Sequence, residues 1–251
     1  MSWIDATVGE LIDVKHGFAF KGEYFSDCGD YVVLTPGNCY NEGGFKSKGE
    51  KEKWYVGDIP EGYLLNEGDL LLVMTDLVNT APVLGGPLLI PEDNKYLHNQ
   101  RLGLVQIREP LKYYKRFLYY LFNTHEYRGQ VRGSASGSTV RHTAPERIKS
   151  CKVRIPSKYD DQKRLADALA AYDDLIENNK RRIELLEESA RQLYKEWFVR
   201  LRFPGHEHLK VIDGVPEGWE KCTASQALHV NPKVAVEKGK EILYVPMARL
   251  S

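Results

Sequence analysis

Between Leu165 and Trp197 apolar residues fall at alternating steps of four and three: Leu165, Leu169, Tyr172, Ile176, Asn179, Ile183, Leu186, Ala190, Leu193 and Trp197. A 3.5-residue period of this kind is a heptad seam, the pattern of a helix that pairs with another helix. Asn179 is its single polar rung, and a lone polar residue on a seam fixes register and orientation at some cost in stability. At 1.5 Å per residue the seam spans roughly 50 Å, and the wider helical pattern, from about Asp160 to Phe203, roughly 65 Å. So long an apolar stripe cannot be covered by its own turns, and the sequence holds no second long heptad run. The partner helix is therefore expected from another chain or from a part of the protein beyond this stretch. The alternative, a long amphipathic helix lying on its own domain's core, is disfavoured by a strict period over more than four heptads.

Before the seam the pattern changes. Short apolar runs at Tyr31 to Leu34, Leu70 to Met74, Val83 to Ile90 and Leu102 to Ile107 alternate with Gly, Pro, Asn and Asp clusters, which predicts many short strands joined by turns. A helix is expected to open near Thr7, where Glu10 three residues on completes a capping box. A second is predicted over Leu111 to Gly129, with Tyr113, Phe117, Leu118, Tyr120, Leu121 and Phe122 against the sheet and Lys112, Lys115 and Arg116 outward. Ile155-Pro156-Ser157 forms a hinge before the long helix, and Phe203-Pro204-Gly205 stops that helix. Past it the chain restarts: Trp219 and Thr223 repeat the spacing of Trp3 and Thr7, Gln226 stands where Glu10 stood, and Ile242 to Val245 follows as Tyr31 to Leu34 does. The fold class is thus α+β, a strand-rich head followed by a long coiled-coil-forming helix.

Charge alters the picture more by its distribution than by its sum. The net charge is zero, yet residues 1–94 hold six Lys/Arg against sixteen Asp/Glu and residues 95–154 thirteen against three. Within that basic block lies GSASGST, Gly133 to Thr139, flanked by Arg128, Arg132, Arg141 and His142. Freed amides, the hydroxyls of Ser138 and Thr139, and guanidiniums are what phosphate oxygens bond to, so this is the leading phosphate-contact segment; a polar linker with incidental arginines is the alternative. Two loops, His16 to Phe25 with Lys21 and Gly43 to Trp54 with Lys46 and Lys48, mix aromatics with lysines and suit either nucleic-acid contacts or solvated hairpin tips. Asn99, Gln100 and Arg101 carry donors and acceptors suited to purine edges, or cap the strand that follows them.

Enzymatic signatures are missing from the sequence. No Glu has Lys two positions on, as a common nuclease motif needs, and phosphate-loop, dinucleotide, zincin and nucleophile-elbow motifs do not occur. His206-Glu207-His208 reads as an exposed connector rather than a metal site, so neither catalytic residue nor cofactor is expected. Four cysteines without a CxxC pair suggest free thiols. No apolar run approaches the roughly 18 residues of a membrane span and MSWIDATVGE lacks a signal peptide's regions, which makes the cytoplasm the expected compartment.

Several of these stretches resemble the specificity (S) subunit of type I restriction-modification enzymes. Ile155-Pro156, Asp161-Gln162-Lys163-Arg164-Leu165-Ala166, Asp173 to Asn179, Leu185-Leu186-Glu187 and Leu193 to Val199 look like that family's first conserved helix. Pro216-Glu217-Gly218-Trp219 resembles the opening of its second target-recognition domain, and GFAFKGEYF and LNEGDLLLVM resemble stretches of the first. The resemblance implies a recognition domain over 1–154, a spacer helix over 155–205, and a connector with the start of an incomplete second recognition domain over 206–251. A full subunit of that family has two such domains and two antiparallel helices, so this chain looks half-length, and pairing of two copies through the seam could restore both. The implied partners are double-stranded DNA, methyltransferase (modification) subunits and, through them, ATP-driven restriction subunits, to which S-adenosylmethionine, ATP and Mg would belong. A coiled-coil adaptor whose head binds protein is the rival reading, supported by the acidic first 94 residues.

Overall fold

The computed structural model describes residues 1–230. Two compact units divide it at Glu177, inside the long helix. In the first unit the chain runs β1 (Trp3–Thr7), α1 (Val8–Leu11), β2 (Ile12–His16), β3 (Phe25–Ser26), β4 (Tyr31–Val33), β5 (Trp54–Tyr55), β6 (Leu70–Val73), β7 (Thr75–Asp76), β8 (Pro87–Leu89), β9 (Tyr96–Leu97) and β10 (Leu102–Ile107). It continues through α2 (Lys115–Phe122), α3 (His125–Gly133), β11 (Arg141–His142), α4 (Pro145–Lys149) and β12 (Lys152–Pro156) into α5 (Tyr159–Tyr194).

Strand β6 organises this unit. It sits inside the antiparallel sheet β2-β10-β6-β8, and all four of its residues are buried. Because side chains alternate along a strand, Leu70 and Leu72 join a core with α1, α2 and α3, while Leu71 and Val73 join another with Val32 and Tyr96 from the second sheet, β3-β5-β4-β9, and with Leu34 just past β4. Helices, central sheet and second sheet thus form three layers. The first strand closes the unit: β1 pairs antiparallel with β12, Trp3 against Pro156, so the chain's start is tied to the strand that launches α5.

The mixed fold and the long helix agree with the sequence reading, and the capping box of α1, made by Thr7 and Glu10, forms as expected. The helix predicted over Leu111 to Gly129 is instead two. Leu111 is 94% exposed and outside both, and the chain breaks at Asn123-Thr124, where Thr124 caps α3 by accepting from the Tyr127 amide. Threonine's competing local hydrogen bonds outweigh continued helix there, and Gly129 lies within α3 rather than at an end.

The long helix also departs from expectation. Its first turns dock on the head through Gln162, Ala166 and Ala170, all buried, with Leu165 packed beside them. The Gln162 carboxamide accepts from the Tyr114 amide (3.0 Å) and donates to the carbonyls of Lys112 (3.2 Å) and Pro156 (3.0 Å). The residues expected outward on the predicted second helix are likewise engaged: Lys115 donates to the Gly68 carbonyl (3.0 Å) and Arg116 reaches Asp174 (3.5 Å), while Lys112, which precedes α2, pairs with Glu109 (3.0 Å). At its far end α5 passes into a π-turn, Lys195–Val199. That turn takes an extra residue per hydrogen-bonded ring and shifts Trp197 out of the seam's phase.

In the second unit Trp219 stacks on Phe203, ring centroids 5.2 Å apart at 20°. A hairpin of β13 (Val211–Ile212) and β14 (Val215–Pro216) turns on Asp213 and Gly214, both at positive φ, the mirror-image turn that two-residue hairpins favour. The short α6 (Ala224–Ala227) opens with a capping box of Thr223 and Gln226, the same local device that Thr7 and Glu10 make at α1. Ile242 to Val245 lies outside the described residues.

Candidate nucleic-acid interface

Two of the polar stretches singled out in the sequence meet in space. The Phe18 amide donates to the His98 carbonyl (2.8 Å) and the Gln100 amide donates back to Phe18 (3.0 Å), laying the His16–Phe25 loop along Asn99–Arg101. Only glycine permits this approach at position 17, because a Cβ there would stand 2.0 Å from the Asn99 carbonyl oxygen. Beneath them His98 is fully buried, and burial lowers its pKa to about 4. The ring is neutral at pH 7 and its Nε2–H donates to the Leu102 carbonyl (2.9 Å). Gln100 and Arg101 are exposed on this base, whereas Asn99 is buried with its Oδ1 accepting from the Arg101 amide (3.0 Å). Asn99 shapes the turn rather than offering its oxygen to a ligand.

The second group is the segment after α3. Ser136 and His142 exchange amide–carbonyl bonds (2.9 Å each), and β11 pairs with β7, Arg141 opposite Asp76 and His142 opposite Thr75. Ser138 and Thr139 are exposed at the tip. Arg141 donates to the carbonyls of Arg132 (3.0 Å) and Ala135 (3.4 Å), and Arg147 to that of Ser134 (2.8 Å), so two guanidiniums cap the negative end of α3. His142 Nδ1 lies 3.1 Å from the Thr75 hydroxyl.

The backbone of Met74 joins the two groups. Its amide donates to the Arg101 carbonyl and its carbonyl accepts from the Thr143 amide, 2.9 Å in each case. Arg101, Gln100, His142 and the Ser138–Thr139 tip are therefore arranged around one end of the central sheet.

Other candidates do not join them as free cations. Arg128 is 5% exposed and donates to the carbonyls of Asn41 (2.6 Å) and Pro82 and to Asn123 Oδ1 (3.1 Å), while burial pulls its pKa below the usual guanidinium range. It ties three loops together and cannot reach a phosphate, a correction to the sequence reading. Lys48 is also largely covered, donating to Thr35 Oγ1 (3.2 Å) beside Glu52. Lys21 and Lys46 stay exposed on their loops, and Arg132 is half-buried. Of the rest of the basic block, Lys149 and Arg108 are spent on Asp13 (3.2 and 3.4 Å), whose carboxyl is held below its usual range, chiefly by the Lys149 hydrogen bond.

One element escaped the sequence reading. After β7 the chain makes an exposed turn, Leu77–Thr80, whose base is fixed by Asp76: its carboxylate accepts from the amides of Val78 (3.0 Å) and Val83 (2.8 Å). An Asp opening a turn is a common local signal, but the sequence reading assigned nothing between Met74 and Val83.

A strand-rich unit running into a long helix is the class of fold this chain belongs to. Within that class the chain belongs to the type I restriction modification DNA specificity domain family, whose sequence profile matches residues 2–188. Among curated relatives it is 33% identical over 108 residues to the type I restriction enzyme MjaIX specificity subunit of Methanocaldococcus jannaschii, covering 41% of this chain and 25% of that one. It is 27% identical over 183 residues to the EcoBI specificity subunit of Escherichia coli, covering 73% and 35%. Its fold matches the S subunit of the Mycoplasma genitalium type I system with a TM-score of 0.60 at 17% identity, over 83% of this chain and 48% of that one. The chain thus spans less than half the length of these relatives. Both curated relatives are named specificity subunits of type I restriction enzymes.

Proposed function

We propose that the head, residues 1–154, reads one half of a bipartite duplex target, and that the helix region 155–205 sets the distance to a second reader. Residues 206–251 would open that second recognition domain. The observation that carries this reading is the convergence of Gln100–Arg101 and Ser138–His142 around Met74, within a chain of the DNA specificity family. In this arrangement Arg101, Arg132 and the Ser138–Thr139 tip take phosphates, Gln100 and His142 face base edges, and Lys21 and Lys46 add charge from neighbouring loops.

The uncovered rungs from Tyr172 to Leu193 suit a second helix, supplied by the family's other conserved helix or by a second copy of this chain. A rod of this length holds two readers roughly one and a half to two turns of duplex apart, at roughly 34 Å per turn. Modification subunits would dock on head and helix and bring the restriction subunits, placing the assembly with cellular DNA in the cytoplasm; S-adenosylmethionine, ATP and Mg would be their ligands.

Salt titration tests the phosphate assignments. Arg101→Ala and Arg132→Ala should each weaken duplex binding and reduce the slope of log affinity against log salt by about 1. An unchanged slope in both variants would remove this edge as the phosphate-contacting surface.

A further inference from the structure

Beside the basic edge stands the turn Leu77–Thr80, and it has the build of a reading element rather than of a slack connection. Leu77 and Val78 are 58% and 49% exposed, an apolar pair facing solvent, followed by exposed Asn79 and Thr80. Exposed loop tips are ordinarily polar and mobile. This one is fixed at both feet: the Asp76 carboxylate, itself 3% exposed, binds the Val78 and Val83 amides, and buried Ala81 sits at φ +51 with its amide on the Val78 carbonyl (2.9 Å). A non-glycine residue in the left-handed region stores strain that the surroundings must hold, and such strain gathers where a loop's geometry is used.

Position and charge say what the tip meets. The β7–β11 pairing sets Asp76 against Arg141 and Thr75 against His142, and Met74, two residues before Asp76, carries the links to Arg101 and Thr143. Asp76 is the acid nearest the tip in sequence, and both its oxygens are turned inward onto amides. The apolar pair therefore projects from a surface suited to a polyanion. The one apolar group a duplex presents in its major groove is the C5-methyl of thymine.

We propose that Leu77 and Val78 are specificity-determining residues that pack on thymine methyl groups in the major groove, with Asn79 beside them for an adjacent base edge. This rests on the head being a DNA reader and adds which bases it favours and through which atoms. Asp76 and Ala81 act as positioning residues, holding the pair at a fixed height above the groove.

The test uses the full chain and a randomised-duplex library, from which bound sequences are selected. Each selected duplex is then remade with deoxyuridine for thymidine at one position at a time, which deletes only the methyl group. Wild type should lose about fourfold in affinity at one or two positions, the effect of a buried methyl. Leu77→Ser/Val78→Thr should lose that sensitivity while its salt slope stays that of wild type, since phosphate contacts are untouched. A wild type that selects a sequence yet ignores every methyl overturns the inference and leaves DNA reading intact, and this arm needs no variant to fold. Methyl sensitivity retained by the double variant overturns it as well, as does a variant altered only in binding the modification subunit. A wild type that binds no duplex sinks DNA reading itself, and the tip's role with it.

Discussion

One continuous helix, α5, leads two lives. Over its first turns Gln162, Ala166 and Ala170 are 1, 0 and 4% exposed against the head, whereas the seam residues Tyr172, Ile183 and Leu186 are 69, 56 and 68% exposed. The docked face is made of small and amide side chains at intervals of four, which let the helix approach closely. The open face is made of large apolar side chains at intervals of four and three. Area buried by an aliphatic side chain is worth about 25 cal/mol per Å², so leaving several in water is unfavourable for a lone chain. The contrast separates a helix start held by its own domain from a longer stretch whose large apolar side chains are uncovered.

Overpacking the docked face should break the contrast most. Ala166 has no solvent exposure, and Ala166→Leu forces side-chain bulk into a filled layer, with an expected loss of about 1–3 kcal/mol. Ile183→Ala should leave head stability within about 0.5 kcal/mol while weakening association of the seam. Urea unfolding followed through the head, with light scattering on the same samples, separates these outcomes. Equal destabilisation of the head by both variants would show that the open rungs are part of its fold.

Asn179 sharpens the open half of the comparison. On a seam that takes a partner helix its amide has to be matched in one register, and Asn179→Leu removes that demand. Association should tighten roughly tenfold, about 1.4 kcal/mol, with orientation less defined, as read from sedimentation and from cross-linking at the two helix ends. Association that ignores Asn179 would detach the seam from pairing.

The sequence made the open face legible because its message is periodic and needs no knowledge of the rest of the fold. It concealed the docked face, since Gln162, Ala166 and Ala170 spell nothing until Tyr114, Lys112 and Pro156 are brought against them from elsewhere. The same division runs through the head. Capping boxes at Thr7 and Thr223 were readable because cap and partner lie three residues apart, yet one helix buries Val8 and Leu11 while the other exposes its residues, which is a tertiary choice. Charge counting found the basic block but not its uses: Arg128 and Arg132 look alike on paper, and only the loops at Asn41, Pro82 and Asn123 assign one to the interior. The Leu77–Thr80 turn was missed because the apolar runs that mark strands end at Met74 and resume at Val83, and nothing in the sequence between them says that Asp76 folds back onto the Val78 and Val83 amides.

Acid should loosen the docked end by a small amount and leave the open face unchanged. At the docked end Lys163 donates to Asp167 (2.5 Å) and the Tyr114 hydroxyl lies 3.4 Å from the same carboxylate. The Lys163 hydrogen bond, foremost, holds the Asp167 pKa below its ordinary 3.8. A carboxyl with a depressed folded-state pKa favours the folded state at pH above the unfolded value, and that contribution is lost as pH falls through the lower folded one. Wild type and Asp167→Asn should therefore differ in stability at neutral pH and converge once the pH has fallen through the lowered pKa of Asp167. Because both partners are exposed, high salt should shrink the difference at every pH. The partner lysine has its pKa raised, so its share is lost only in strong alkali, and the neighbouring Tyr120 phenol, raised by burial and by its hydrogen bond to Asp173, stays protonated over the same range. Curves for the two proteins that stay parallel down to low pH would show that the helix is held on the head by Gln162 and its small-residue packing alone.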